Sequence, residues 1–177
     1  MPDQLHAIVT GTFSPMLGSL SNWLDKGAQH AIIQGWRADR LPKSRLAPDM
    51  FDLTEQIESL CYTVEDGVAL LTGVAQPQRP SNGTTIEDLK SRITLAIAYV
   101  EGAPEAAYEG AAGRTLTKAL PNGLTLEANG LQFLRDWTIP NFYFHVVTAY
   151  DILRNNGVEI GKFDYLAHFA YAMRQTG

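Results

Sequence analysis

The sequence predicts an all-α fold, a four-helix bundle with a small β-hairpin before its fourth helix and a short C-terminal helix. Three observations predict it. Four stretches of helical length repeat apolar residues at i, i+3 and i+4, so each has one apolar stripe and one polar side. Before the fourth, the period switches to alternation around Asn122-Gly123, a strong local sign of a hairpin. Long segments rich in breakers separate the first three helices, so the bundle need not run simply up and down. All 177 residues are read as a single domain, a length that can bury one sizeable core.

The first helix spans about 3–35, with Leu5, Ile8, Val9, Phe13, Met16, Leu17, Leu20 and Leu24 on one stripe. Pro15 should kink it or mark its effective start, and Gly35 is its stop. WRADRLPKSRLAP, residues 36–48, reads as a loop because Pro42 and Pro48 break it. The second helix spans about 49–72, with Asp49 or a neighbour as cap, Asp52 in its first turn, and a stripe of Leu53, Ile57, Leu60, Cys61, Val64, Val68 and Leu71. It ends at Gly73. AQPQRPSNG, residues 75–83, is a long crossover to the third helix, about 85–101. Thr85 and Asp88 form a capping box there, ahead of Ile86, Leu89, Ile93, Ala96, Ile97 and Val100. The hairpin occupies about 114–126. The fourth helix runs from about 129 to 155, its stripe drawn through Leu131, Leu134, Trp137, Asn141, Phe144/His145, Thr148 and Ile152, with a kink at Pro140. DYLAHFAYAMR, residues 164–174, forms the short last helix through Tyr165, Leu166, Phe169 and Met173.

Composition narrows the function classes. Apolar residues make up 45% and charged residues 19%, which fits a globular chain and not a disordered one. The net charge is -5 and the 14 Lys and Arg form no run, which argues against nucleic acid as a partner. No apolar run approaches the ~18 residues of a membrane span, and the N-terminus lacks the pattern of a signal peptide. The lone cysteine, Cys61, can form no intrachain disulfide. A cytoplasmic location is the expectation.

The candidate site lies in TIPNFYFHVVTAYDILRNNG, residues 138–157, where Asn141 and His145 stand four apart. On a helix that places their Cβ atoms roughly 5–6 Å apart on one face. Read at a constant helical period, both fall on the buried stripe, so each needs a hydrogen bond, a water or a metal. Aromatic walls would come from Trp137, Phe144 and Tyr150.

This helix, with its Leu153-Arg154…Gly157 ending, resembles the fourth helix of the DinB-like bundles, a bacterial superfamily of metalloenzymes. RLAPDMFDLTEQI, residues 45–57, and PNFYFHVVTAYDILRNNG resemble a branch described as a domain of unknown function, over nearly the whole chain. The resemblance implies a long crossover between helices two and three, homodimers, and a divalent metal such as zinc or nickel near the open end of the bundle. Some relatives are thiol transferases that use a metal-activated thiolate. The superfamily's His-x3-His pair maps its second histidine onto His145 and its first onto Asn141; its third histidine falls near Gln56. The implied ligand set is therefore His145, Asn141 and Gln56. One imidazole and two neutral amides are a poor substitute for three imidazoles, because amide oxygens are hard, weak ligands.

Two readings stay open. In one, the bundle holds a small polar pocket around Asn141, His145 and Gln56, walled by Trp137 and Phe144, for a small-molecule ligand. In the other, the protein is a divalent-metal-dependent enzyme, a hydrolase or thiol transferase, using His145. The remaining candidates have simpler roles: Asp49 and Asp52 in helix capping, Arg45 in an ion pair, His6, His30 and His168 as ordinary surface or terminal residues, and Cys61 as a small buried hydrophobe.

Overall fold

The computed structural model describes residues 4–78 and 83–172. The expected start of the first helix at residue 3, part of the crossover, and Met173 lie outside the described residues.

Helix α1, Leu5–Ile33, buries Leu5, Val9, Phe13, Met16, Leu17, Leu20, Trp23 and Leu24. It begins well before Pro15 and runs through it, so Pro15 does not mark its start. Ile8, placed on the apolar stripe by its spacing, is instead exposed, and Trp23 takes a core position. The helix ends in a Schellman motif: Gly35 adopts φ +63°, its N–H donates to Ile32, and the Trp36 N–H reaches back to Ala31.

Helix α2, Leu53–Thr72, is capped by Asp52 and not by Asp49: Asp52 accepts from the Glu55 N–H while the Glu55 carboxylate accepts from the Asp52 N–H. Arg45 ties the preceding loop down by donating to the Met50 carbonyl and pairing with Asp52 at 3.5 Å. Helix α3, Ile86–Gly102, starts with the reciprocal Thr85–Asp88 box. α1 packs mainly on α3, α3 on α2, and α2 on the fourth helix, which closes the ring with a lighter contact to α1. Consecutive helices α1 and α2 thus stand across a diagonal. The segment between them crosses the bundle end, burying Leu41 on the way.

Strands β1, Thr115–Ala119, and β2, Thr125–Asn129, pair antiparallel with Leu116 opposite Ala128. The turn is longer than the two-residue type suggested by Asn122-Gly123: Leu120 and Leu124 close it, Gly123 takes φ +82°, and Leu124 is exposed at the tip. Lys118 on β1 pairs with Asp66 on α2 at 2.7 Å and fastens the hairpin to the bundle. β2 feeds directly into the fourth helix, because Asn129 both ends the strand and caps the first helical turn through a box with Gln132.

The fourth helix, here α4, comprises Gly130–Gln132, a π-helical turn Phe133–Thr138, and Ile139–Asn155. Proline has no N–H to offer the carbonyl four residues before it. The disturbance expected at Pro140 therefore appears just upstream, as the wide turn. Two glycines let α4 settle: a Cβ on Gly67 of α2 would meet the Thr138 methyl at 2.6 Å, and one on Gly130 would meet the Ala111 carbonyl oxygen at 2.0 Å. A second Schellman motif ends the helix at Gly157, φ +85°. The last segment divides into α5, Lys162–Tyr165, and a 3-10 stretch, Ala167–Ala172. Trp23 stacks on Tyr165 and donates its indole N–H to the Asp164 carbonyl. Phe169, expected to face the bundle, is exposed.

Inside the apolar interface of α2 and α3 lies an ion cluster. Arg92 is 3% exposed, Glu65 1%. The Arg92 guanidinium donates to both Glu65 oxygens, at 2.6 and 2.7 Å, and through Nε to Glu58 at 3.0 Å. Cys61 is buried beside it, and burial pushes its thiol well above the usual range, so it stays protonated. Removing one member strands the other's charge. Arg92→Met is expected to cost about 3–5 kcal/mol in urea unfolding, and adding Glu65→Leu to recover most of that loss. A double variant as unstable as the single one would contradict this account.

Candidate functional site

The first two turns or so of α2 bury Leu53, Gln56, Ile57 and Leu60 on one face. Gln56 is the polar member, only 1% exposed, so both ends of its amide need partners. Its Nε2 donates to the Phe51 carbonyl at 3.3 Å, in the loop just before the Asp52 cap. Its Oε1 faces His145 Nδ1 on α4 at 2.7 Å. These two contacts orient each other. The amine end must face a carbonyl, which leaves the amide oxygen as an acceptor toward the ring. His145 Nδ1 therefore carries the proton, and the lone pair lies on Nε2, which has no partner among the described residues. His145 is half-buried, and desolvation lowers its pKa from the usual 6.5, favouring the neutral ring. The Phe144 ring meets the imidazole edge-on, centroids 5.3 Å apart.

The other residues expected around this pair lie elsewhere. Asn141 is only half-buried, and its amide donates to the Trp137 carbonyl one turn back at 2.7 Å, with no bond to His145 or Gln56. Phe144 is 59% exposed and not a core residue. Trp137 lines a separate cleft of about 330 Å³ under the hairpin, with Leu126, Phe133 and Asp136. Tyr150 packs edge-on against Trp23 and Tyr165. The π-helical turn explains the shift of Asn141 and Phe144: an extra residue in one turn changes the phase of the turns that follow it. The buried residues beyond the turn are Phe142, Val146, Thr148, Ala149, Ile152 and Leu153, so Thr148 and Ile152 stay on the stripe as expected, while Asn141 is half-buried and Phe144 faces outward.

The simpler roles can be compared in turn. Asp52 is the cap and Arg45 its ion partner, while Asp49 is exposed outside the helix. His6 lies against Tyr108 and His30 against Trp36. His168 is half-buried, with Nδ1 buried and unpartnered, beside Ser19 and Asn22 in a groove between α1 and the C-terminal segment. The residue that sequence reasoning missed at the site is Phe51, which contributes through its backbone. Its only signal was its place immediately before a cap.

The family model of the Domain of unknown function (DUF1993) matches residues 5–166. The chain belongs to the DUF1993 family. It is also similar to a solved structure, the crystal structure of a DinB family member protein from Shewanella denitrificans at 1.83 Å resolution. Identity to it is 38%, the TM-score is 0.84, and the alignment covers 98% of this chain and 96% of that one. This DUF1993 chain is thus a DinB-like helical domain. No curated protein matches it. Among its described residues no three His, Cys, Asp or Glu side chains converge in a way that could hold a metal.

The donor set at His145 does not fit a tightly held transition metal. Gln56 Oε1 is already occupied by the Nδ1 proton, on the side of the ring away from the free lone pair. Gln56 is thus an orienting partner of the imidazole and not a second ligand. Asn141 turns its amide toward its own helix.

Two outcomes are expected of the Gln56–His145 pair. Gln56→Leu leaves both the ring proton and the Phe51 carbonyl without their partner, and should cost about 1–3 kcal/mol by chemical denaturation. The pH dependence has a definite sign. Above pH 6.5 the ring is neutral in both states. As pH falls below 6.5 the unfolded chain takes up the proton first, so stability declines until pH passes below the lowered folded-state pKa. Calorimetry between about pH 5 and 8 should show His145→Gln with a flatter acid limb than the parent.

Proposed function

We propose that this DUF1993 domain is a small-molecule-binding bundle, in which α2 and α4 present one neutral imidazole for hydrogen bonding, and not a metalloenzyme. The observation that supports this most is the 2.7 Å contact between Gln56 Oε1 and His145 Nδ1. It fixes the ring and leaves a single nitrogen to act. A lone, oriented nitrogen beside an exposed aromatic ring is the kind of polar point that a binding pocket uses to set ligand orientation. The pocket of this reading is Gln56, His145 and Phe144, with Asn141 and Trp137 further along α4 and outside the hydrogen-bonded pair. The hydrolase or thiol-transferase alternative needs a metal to activate water or thiolate, and the donor set does not favour it. The homodimer and the cytoplasmic location are carried into this proposal on the superfamily resemblance and the composition.

Elemental analysis of protein purified without a metal-affinity column tests the reading. The expected result is a metal content far below one equivalent, unchanged in His145→Ala, with that variant still folded by circular dichroism. Stoichiometric zinc or nickel in the parent, lost from His145→Ala, would establish the metalloenzyme instead.

A further inference from the structure

Resting on that reading, we infer that the ligand is a neutral hydroxyl donor on an aromatic body, a phenol-type small molecule, whose O–H is accepted by His145 Nε2. The direction of the hydrogen bond comes from the amide. The Phe51 carbonyl can only accept, so Gln56 turns its N–H toward it and its oxygen toward the ring. His145 Nδ1 must donate, and Nε2 is left as an acceptor. A ligand that meets this nitrogen has to bring a proton.

Charge narrows the class further. Arg45, in the loop before Gln56, is already committed to the Met50 carbonyl, Asp52 and Glu55. A deprotonated, anionic ligand brings no proton for Nε2 to accept. The carboxylates of Asp52 and Glu55 are in turn committed to the helix cap. An ammonium ligand would be partly desolvated against a half-buried ring, and desolvating a charge is costly. A neutral donor brings the proton without that cost. The body of the ligand is set by the neighbours: Phe144, edge-on to the imidazole and 59% exposed, and Phe51, 50% exposed, whose carbonyl anchors Gln56. Aromatic rings pair well with such partly exposed aromatic surface.

The test follows the His145 ring nitrogens by long-range ¹⁵N–¹H NMR at a pH where the ring is neutral, while phenol, toluene, benzoate and benzylamine are titrated separately. The unliganded ring should show Nδ1 protonated and Nε2 bare. Phenol should move the Nε2 resonance saturably toward the protonated position. Toluene, which keeps the ring and lacks the hydroxyl, should bind roughly two- to tenfold more weakly, the worth of one hydrogen bond, and benzoate and benzylamine should also fall below phenol. In His145→Gln, ligand-observed NMR should show the preference for phenol over toluene fall to about one. The inference is overturned by the opposite tautomer, by an Nε2 that ignores phenol, by toluene or a charged probe matching phenol, or by a preference that survives in His145→Gln. Metal content separates the two failures. Stoichiometric metal overturns the binding-protein reading itself, whereas a metal-free protein that ranks the probes differently overturns only the ligand class.

Discussion

The site depends on the phase of one helix. α4 enters the bundle from the hairpin through Asn129 and passes through a π-helical turn before Pro140. That turn rotates the rest of the helix, bringing Phe142 and Val146 into the core and leaving His145 at its margin. Gly67 permits it, since any larger residue on α2 would strike Thr138 where the widened turn comes closest. The imidazole is therefore buried enough to be kept neutral and exposed enough to meet a ligand. A regular helix through the same sequence would have placed Asn141 inside. Wide turns of this kind are frequent at functional sites, and here the consequence is specific: it decides which polar side chain of the pair faces the bundle.

α2 joins the two chemically distinct halves. On one side it meets α3 through the Arg92–Glu65–Glu58 cluster, and on the other it meets α4 through Gln56 and Gly67. Apolar contacts tolerate small sliding, whereas a bidentate guanidinium–carboxylate pair has one good geometry. A buried pair of this kind adds little net stability over well-packed hydrophobic residues. In this fold its effect is to fix the axial register of α2 against α3, and with it the height at which Gln56 meets His145 two turns or more away.

Most of the scaffold was legible in the sequence because its signals are local. The capping box at Thr85–Asp88, and glycine stops at Gly35, Gly73 and Gly157, need only neighbouring residues, and apolar spacing located the core faces of α2 and α3 almost entirely. The misreadings of Asn141 and Phe144 share a cause. Counting at a constant 3.6-residue period cannot detect a π-helical turn, so Asn141 and Phe144 were read out of phase, while Leu134, Thr148 and Ile152 are buried as expected. Arg92 was invisible for another reason: a charged residue in the apolar stripe of α3 reads as surface until its partner Glu65, 27 residues earlier, is brought alongside. The long-range pairing of Gln56 with His145 had no local signal and was legible through family resemblance alone.

Gln56 also explains how a polar group can persist in the bundle without a metal. A buried amide with four hydrogen-bonding sites is tolerable where its principal donor and acceptor are both engaged, and Phe51 and His145 engage one of each. An imidazole at position 56 would have no comparable reason to turn an acceptor toward Nδ1 of His145, and two rings facing each other would invite a cation between them. An amide instead satisfies the first ring internally and withdraws itself as a ligand. The amide thus keeps the core satisfied and leaves His145 Nε2 as the free nitrogen of the pair.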